Sequence, residues 1–168
     1  MKHYKTGYIA GVFDLFHIGH LNVIRRASAH CEELIVGVLV DELVEFYKKE
    51  PPFIPFEERI DIVGSLSYVS RAVPVTVENI DKMTAWRRYH FDVLFSGDDY
   101  AGHPGWMADK ENLERVGATI EFFPYTKSTC STKLKAMIEA KMNGQNTVEI
   151  VSRTYGSEQN DADPRMKG

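Results

Sequence analysis

The sequence predicts an α/β fold in which a doubly wound, mostly parallel five-stranded sheet carries helices on both faces. Three observations lead to this prediction. Short apolar segments alternate along the chain with segments whose apolar residues recur at helical spacing. Residues 34–40 are apolar without interruption, which is typical of a strand buried on both faces. Polar side chains follow several predicted strands, at the edge where sheets of this kind bind ligands.

The predicted strands are short apolar runs bounded by polar or glycine-containing segments. Residues 8–10 precede a turn that contains glycine, and residues 34–40 form the longest run. Residues 72–75 include Pro74, which cannot donate a ladder hydrogen bond, so this strand is expected near an edge of the sheet. The other two predicted strands are 91–95 and 119–123.

The predicted helices come from apolar residues spaced three or four apart and from residues that begin or end helices. In residues 56–66, Ile60 and Val63 recur at that spacing among charged residues. Gly117 ends the helix predicted over 109–116. The remaining predicted helices are 21–27, 81–89 and 131–142, the last with a serine or threonine cap.

The composition is that of one globular domain. The chain has 168 residues, of which 43% are hydrophobic and 26% are charged, enough for a single core. We expect this domain over residues 1–142 and a flexible tail over 143–168, where glycine, serine, asparagine and charged residues are frequent. The alternative for the tail is a short strand near residues 147–151 that takes part in dimer contact.

Charge, apolar runs and cysteines narrow the class of protein. The formal net charge of −4 argues against general nucleic-acid binding. No apolar run approaches the roughly 20 residues of a membrane span, so no membrane partner is expected. Cys31 and Cys130 form no paired motif, which fits a reducing, cytoplasmic environment.

Residues 11–20, Gly-Val-Phe-Asp-Leu-Phe-His-Ile-Gly-His, join the first predicted strand to the first helix. A helix N-terminus binds phosphate through its free N–H groups, and Gly19 lets a phosphate approach the backbone closely. His17 and His20 add ring N–H donors there, and Asp14 can hold a metal ion bound to phosphate. These residues predict a site for nucleotide phosphates. The histidine spacing by itself is also compatible with packing, capping or incidental metal binding.

Three later segments extend this motif into a series. Pro-Phe-Glu-Glu-Arg at 55–59, Ser-Gly-Asp-Asp-Tyr at 96–100 and residues 126–132 follow in an order that resembles the cytidylyltransferase-like nucleotidyltransferases, over roughly residues 7–140. Within that family the resemblance is closest to the glycerol-3-phosphate cytidylyltransferases. It implies a Rossmann-like fold and a reaction of CTP with a phosphomonoester. The products would be a CDP-alcohol and pyrophosphate, formed by direct in-line attack.

The resemblance implies four catalytic residues, which are His17, His20, Lys48 and Arg59. The two histidines would donate hydrogen bonds to the α- and β-phosphates. Lys48 would be a movable cation between the reacting phosphates. Lys49 follows it directly, so the choice between these two lysines stays open.

Two charged side chains have more than one interpretation. Arg59 would bind a phosphate through its guanidinium fork, or it would form a surface pair with Glu57 or Asp61. Asp14 would orient one of the histidines or hold Mg²⁺, the cofactor that the resemblance implies.

The end of the domain supplies further expected contacts to the nucleotide. Ser131 and Thr132 offer hydroxyls at a helix N-terminus, where they would cradle phosphate or only cap the helix. Asp99 would face the base or the ribose. The full predicted nucleotide-binding set is Gly11, Val12, Phe13, Asp14, Gly19, Asp99, Tyr125, Thr126, Ser131 and Thr132.

Several positions depart from the pattern of the family. Tyr125 stands where the family has arginine, and Lys127 would restore the positive charge. The other departures are Ser67, Ser70, Ser128 and Cys130. Residues 100–106, which are aromatic and rich in glycine, either line the pocket of the acceptor or close over the core.

The sequence thus predicts a cytidylyltransferase that forms a homodimer and acts on CTP and a small phosphomonoester. Glycerol 3-phosphate is the leading acceptor, and in a bacterium the product would supply cell-surface polymer synthesis. Three alternatives stay open. They are a choline- or ethanolamine-phosphate cytidylyltransferase, an adenylyltransferase of the same superfamily, and a nucleotide-binding module without activity.

Overall fold

The computed structural model describes residues 3–124 and 131–144. The elements in chain order are β1 (Tyr4–Gly11), α1 (Ile18–Ser28), β2 (Cys31–Leu39), α2 (Asp41–Lys48), α3 (Phe56–Gly64), β3 (Arg71–Val75), α4 (Lys82–Tyr89), β4 (Val93–Gly97), α5 (Pro104–Glu114), β5 (Thr119–Phe123) and α6 (Ser131–Met142). A short 3₁₀ helix, Asp98–Tyr100, follows β4. None of the helices within the described ranges is both long and apolar enough to cross a lipid bilayer. The positions Tyr125, Thr126, Ser128 and Cys130 and residues 145–168 of the predicted tail lie outside the described residues.

The five strands form one sheet in the order β3-β2-β1-β4-β5, and every neighbouring pair is parallel. The predicted α/β fold is therefore confirmed. The chain moves outward from β1 to β3 on one side of the sheet and from β4 to β5 on the other. The strand order reverses between β1 and β4, so the carboxyl ends of these two strands flank the position where sheets of this kind bind ligands.

Two apolar cores cover the two faces of the sheet, and β2 contributes to both. Ile35 belongs to the core that contains Ala85 of α4 and Leu113 of α5. The next residue, Val36, belongs to the core that contains Ile24 of α1. Since successive strand residues point to opposite faces, this division explains the uninterrupted apolar run of β2 and confirms helices on both faces.

The edge strand β3 is placed as Pro74 predicts. The carbonyl of Val75 accepts a hydrogen bond of 3.1 Å from the amide of Val40, so Val75 turns its backbone toward β2. Pro74, one residue earlier in the alternation, therefore turns its nitrogen away from the sheet. The missing N–H of proline costs no ladder hydrogen bond in this position.

Helix α2 is absent from the sequence prediction. It has eight residues, and no side chain caps its start at Val40, so neither its length nor its first residue gives a strong helix signal. Only the acidic first turn, Asp41 and Glu42, is typical of a helix N-terminus. Lys49 ends the helix in the left-handed conformation, with a φ of 63°.

Several element boundaries differ from the prediction, and those of β4 and α5 have a clear reason in the packing. Strand β4 begins at Val93, because Phe91 packs into the core before the ladder starts. Helix α5 begins at Pro104, which occupies the first helical position, and not at residue 109. Trp106 is consequently helical and buried, and its ring stacks on Tyr100 with centroids 4.5 Å apart. Of the two interpretations of residues 100–106, these contacts support closure over the core.

A buried arginine joins the segments around the carboxyl ends of β1 and β2. Arg59 of α3 is 1% exposed. Its guanidinium donates to the carbonyls of Val12 at 2.5 Å and Leu39 at 2.8 Å. It also donates to the carbonyl of Ile54 at 2.8 Å and forms an ion pair with Asp41 at 2.5 Å. The side chain therefore fixes the exits of two strands, the start of α2 and the connection between α2 and α3.

This arrangement corrects the expectation for Arg59. The residue does not pair with Glu57 or Asp61 on the surface, and its guanidinium group does not point outward where it would be free to bind a phosphate. Its Nε and both of its Nη atoms already donate to protein groups. The sequence did not reveal this role because the carbonyls that Arg59 binds belong to segments distant along the chain.

Replacement of Arg59 with methionine is expected to lower the free energy of unfolding by about 3 to 5 kcal/mol, because the half-buried Asp41 carboxylate and three carbonyls lose their donor. Urea denaturation followed by circular dichroism measures this change. Arg87→Met on the exposed side of α4 is the matched control and should change the free energy by about 0.5 kcal/mol or less. A loss for Arg59→Met as small as that of the control would contradict the role assigned to the guanidinium.

Candidate active site

The turn between β1 and α1 is held in an unusual backbone conformation. Phe13 and Leu15 both lie in the left-handed region, with φ values of 55° and 48°, which non-glycine residues adopt at a cost in free energy. The ring of Phe13 is buried and folds back over Gly11, where a Cβ atom would lie 3.0 Å from it. Strained backbone of this kind occurs at functional sites when the surrounding packing supports it.

His17 caps helix α1. Its Nδ1 accepts a hydrogen bond of 3.0 Å from the amide of Gly19. A neutral imidazole that accepts at Nδ1 carries its proton on Nε2. That Nε2 lies 3.3 Å from the hydroxyl oxygen of Ser131, whose own proton is donated to the carbonyl of Asp14 at 2.8 Å. The hydrogen bonds therefore assign His17 as a donor at Nε2.

His20 lies directly beside His17 and is enclosed by aromatic rings. The two imidazole rings stack with centroids 3.9 Å apart, and Phe13 and Phe16 contact the ring of His20 from other sides. Nδ1 of His20 is buried and has no hydrogen-bond partner among the described residues. Since Nδ1 is covered, Nε2 is the nitrogen through which His20 can meet a ligand.

Both histidines are uncharged at neutral pH. Burial lowers the pKa of His17 below its ordinary value. Burial lowers the pKa of His20 to about 3; the nearby His17 and, to a smaller extent, the charge of Lys48 act in the same direction, and the carboxylate of Asp14 acts against them. Two neutral rings can stack without repulsion, and each can offer one N–H to an anion.

The two candidate lysines occupy different positions. The ammonium group of Lys48, at the end of α2, is close enough to His20 to lower the pKa of that histidine. The ammonium group of Lys49 instead donates to the carbonyl of Phe46 at 2.8 Å and lies over the ring of that residue. Of the two lysines, Lys48 is therefore the one whose charge acts on His20.

Asp14 joins three segments at the centre of the site. Its carboxylate is buried and accepts hydrogen bonds of 3.0 Å each from the amides of Phe53 and Ile54. Lys135 of α6 forms an ion pair with the same carboxylate at 3.2 Å. Burial alone would raise the pKa of Asp14, but the two amides and the ammonium group outweigh it and hold this pKa below its ordinary value.

The structure shows what Asp14 contacts. Its carboxylate binds two backbone amides and a lysine, and its carbonyl reaches His17 through Ser131. Within residues 3–124 and 131–144, no group of three or more histidine, cysteine or acidic side chains could hold a metal ion. The predicted roles of Asp14, orienting a histidine or holding Mg²⁺, stay predictions.

The structure brings some of the predicted residues together and places others apart. His17, His20, Gly19, Asp14 and Ser131 meet at the N-terminus of α1. Ser131 binds Asp14 and His17 from within α6 rather than acting as the predicted cap, and Thr132 beside it is exposed.

The other predicted nucleotide contacts lie around this centre. Val12 offers its carbonyl to Arg59, and Phe13 packs under His20, so both shape the site from within. Asp99 follows β4, across the point where the strand order reverses, and its carboxylate folds back over Gly97. A side chain at position 97 would collide with that carboxylate, which explains the glycine.

Lys135 and the amides of Phe53 and Ile54 are site groups that the sequence analysis missed. Backbone amides carry no sequence signal, and a lysine on a helix is most often a solvated charge. The available clue is the spacing of Lys135, four residues after Ser131, which places both side chains on the same face of α6.

Comparison with known proteins agrees with this geometry. The family described as cytidylyltransferase-like matches residues 8–152. The FAD synthase of Thermococcus kodakarensis is 28% identical over 131 residues, which cover 78% of this chain and 87% of that protein. The FAD synthase of Pyrococcus abyssi is 30% identical over 138 residues, covering 78% of this chain and 88% of that protein.

Two other proteins resemble parts of the chain or its fold. The ethanolamine-phosphate cytidylyltransferase of Arabidopsis thaliana is 33% identical over 95 residues, which cover 55% of this chain but 22% of that longer protein. A solved structure of the lipopolysaccharide core biosynthesis protein from Thermoplasma volcanium superposes with a TM-score of 0.60 at 21% identity, covering 75% of this chain and 99% of that one. The latter similarity supports the fold.

The lowered pKa of His20 predicts a loss of stability in acid. Below pH about 6.5 the unfolded chain takes up a proton at this residue, whereas the folded chain does so only near pH 3. The contribution of His20 to the free energy of unfolding is therefore complete above pH about 6.5 and falls as the pH decreases toward 3. At pH 5 it has fallen by about 2 kcal/mol. Urea unfolding at pH 7 and pH 5 should show a smaller difference for His20→Asn than for the unmodified chain.

Val77→Ala supplies the control for this measurement, since its side chain is 78% exposed and has no titratable group, so the difference between pH 7 and pH 5 should stay that of the unmodified chain. Comparing each variant with itself at two pH values cancels any loss of packing. A His20→Asn chain that keeps the full difference would show that the ring of His20 is not held neutral.

Proposed function

Because the chain belongs to the cytidylyltransferase-like family, we propose that it transfers CMP from CTP to a small phosphorylated alcohol and releases pyrophosphate. Glycerol 3-phosphate is the proposed acceptor, because short, single-domain proteins that resemble this chain most often use it. The nucleotidyltransferase class follows from the family; the nucleotide and the acceptor are the proposal. Residues 96–100 and the hydroxyl-rich segment 126–132 support CTP as the nucleotide, since both resemble motifs of the CTP-dependent members.

The observation that carries the proposal is the neutral, stacked pair of His17 and His20 at the N-terminus of α1, with the charge of Lys48 beside it. Two uncharged rings donate hydrogen bonds to phosphate oxygens without needing a change of protonation. The free N–H groups and the positive end of the α1 dipole act on the same anion. Such preorganised donors are suited to the charge that develops during phosphoryl chemistry.

The proposed step is a single displacement at phosphorus. An oxygen of the acceptor phosphate forms a bond to the α-phosphorus of CTP, and the bond from this phosphorus to the oxygen bridging to the β-phosphate breaks. The electron pair of the broken bond leaves with pyrophosphate. No proton has to be removed from the acceptor, because the phosphate attacks as an anion, so catalysis consists of positioning and charge stabilisation.

The residues have separate parts in this step. Nε2–H of His17 exchanges its long hydrogen bond to Ser131 for one to a phosphate oxygen, and Nε2 of His20 approaches the same group. Lys48 offsets the negative charge of the two reacting phosphates. The proposal assigns magnesium to the nucleotide triphosphate and not to Asp14.

The homodimer expected from the resemblance stays a prediction. Sedimentation equilibrium tests it by measuring the mass of the assembly in solution.

A second candidate function is adenylyl transfer. The two FAD synthases are 28% and 30% identical to this chain, and the chain spans 87% and 88% of their lengths. This similarity over nearly the whole domain makes ATP the alternative nucleotide to CTP. The histidine pair and Lys48 would act on ATP in the same way, since they contact phosphates and not the base.

Pyrophosphate release with magnesium tests the proposal, with CTP and ATP each combined with glycerol 3-phosphate, ethanolamine phosphate, choline phosphate and flavin mononucleotide. We expect turnover with CTP and glycerol 3-phosphate. Turnover with ATP and flavin mononucleotide alone would replace the proposal with the second candidate. A His17→Asn variant, expected to lose about 100-fold in turnover, shows whether the observed activity belongs to this site.

The two neighbouring lysines provide a matched pair of variants. Lys48→Met should lower turnover by about 100-fold, because the cation that acts on the phosphates is lost. Lys49→Met should change it by about threefold or less, because the contacts of this exposed ammonium group within the described residues are to Phe46. Steady-state rates with the best substrate pair measure both. Equal losses in the two variants, or a larger loss for Lys49→Met, would contradict the assignment.

A further inference from the structure

Three segments of the site are attached to one residue, Asp14. The connection between α2 and α3 donates the amides of Phe53 and Ile54 to its carboxylate. Helix α6 donates the hydroxyl of Ser131 to its carbonyl. The β1–α1 turn, which leads into His17, contains Asp14 itself. The position of Asp14 therefore determines how three parts of the site lie relative to one another. They are the connection that follows Lys48, helix α6 and the histidine pair.

Lys135 is the side chain that completes this attachment. Its ammonium group lies 3.2 Å from the carboxylate of Asp14 and 5.1 Å from the ring centroid of Phe53. It thus contacts two of the three segments while belonging to the third. Ser131 and Lys135 are one helical turn apart, so α6 holds Asp14 at two points, one through its carbonyl and one through its carboxylate.

The positive charge of Lys135 also neutralises the buried carboxylate of Asp14. Asp14 is 3% exposed, and a buried carboxylate is costly without a partner cation. It also lies beside histidines that, under the proposed function, receive the negatively charged phosphates. An unpaired carboxylate there would repel the phosphates and would weaken the hold on the connection that precedes α3.

We propose that Lys135 is a positioning residue that acts through Asp14 to hold α6 and residues 49–55 against the β1–α1 turn, and thereby fixes the places of Lys48, Ser131 and His17. It does not touch the reacting atoms. Its kinetic consequences rest on the proposed function, whereas its structural consequences do not. The inference adds to the family motifs a residue that none of them contains.

The kinetic test compares three variants of the full chain. Lys135→Met should lower kcat by about 10- to 100-fold with a change in KM for the nucleotide of about threefold or less. Lys135→Arg, which keeps the charge, should recover most of the lost turnover. Lys141→Met, on the exposed last turn of the same helix, is the control and should behave as the unmodified chain does.

A double-mutant cycle separates this role from direct contact with substrate. If Lys135 acts through Asp14, the chain with both Asp14→Asn and Lys135→Met loses no more turnover than the more impaired single variant. If the two losses multiply, or if Lys135→Met mainly raises KM, Lys135 acts on the substrate itself and the proposal is overturned.

Hydrogen exchange provides a measurement that needs no activity. In Lys135→Met the amides of Phe53 and Ile54 should exchange at least about 10-fold faster, while amides of α5 keep their protection. Unchanged exchange at both amides would refute the positioning role. A chain that shows no turnover with any substrate pair refutes the proposed function alone, and the exchange rates then still decide the role of Lys135.

Discussion

The buried guanidinium of Arg59 is the interaction on which the arrangement of the site depends. Val12 follows the end of β1 and Leu39 is the last residue of β2, and Arg59 donates to the carbonyl groups of both. Arg59 satisfies both and pairs with Asp41 at the start of α2. Unpaired buried carbonyls and an unpaired buried charge are each costly in free energy. Arg59 therefore holds the carboxyl ends of β1 and β2 in one geometry. The turn that contains the histidines starts from that fixed point.

A second charged pair repeats this principle closer to the chemistry. Asp14 and Lys135 neutralise one another, and the amides of Phe53 and Ile54 satisfy the remaining oxygen sites. The carboxylates of Asp14 and Asp41 thus both bind groups of the protein itself. Of the charges that act on His20, that of Asp14 raises its pKa and that of Lys48 lowers it, while the histidines themselves are neutral. The site is therefore specified by directed hydrogen bonds more than by accumulated positive charge.

The sequence predicts those features that depend on local pattern. The alternation of apolar runs and helical segments is a property of short windows, and it correctly indicates the parallel sheet with helices on both faces. Likewise, His17 and His20 are three residues apart on one helical turn, so their proximity is encoded locally.

Features that depend on tertiary contact are missed. The burial of Arg59 and the pairing of Lys135 with Asp14 join segments that are remote along the chain, and charged residues look solvent-exposed in any local window. Helix α2 is missed for a different reason. With eight residues and no side-chain cap, it is stabilised by the burial of Leu43 and Val44 and by the contact of Asp41 with Arg59.

The outward-facing nitrogen of Pro74 has a consequence for how molecules of this chain meet one another. A sheet edge offers its free N–H and C=O groups to any extended strand, and recruitment of a foreign strand is the first step toward cross-β aggregation. At β3 the outward row lacks the donor that Pro74 would otherwise supply. A continuous intermolecular ladder along this edge is therefore interrupted at Pro74, the fourth of the five residues of β3. A second copy of the chain that adds a strand here forgoes the backbone hydrogen bond of that position, which disfavours association through this edge.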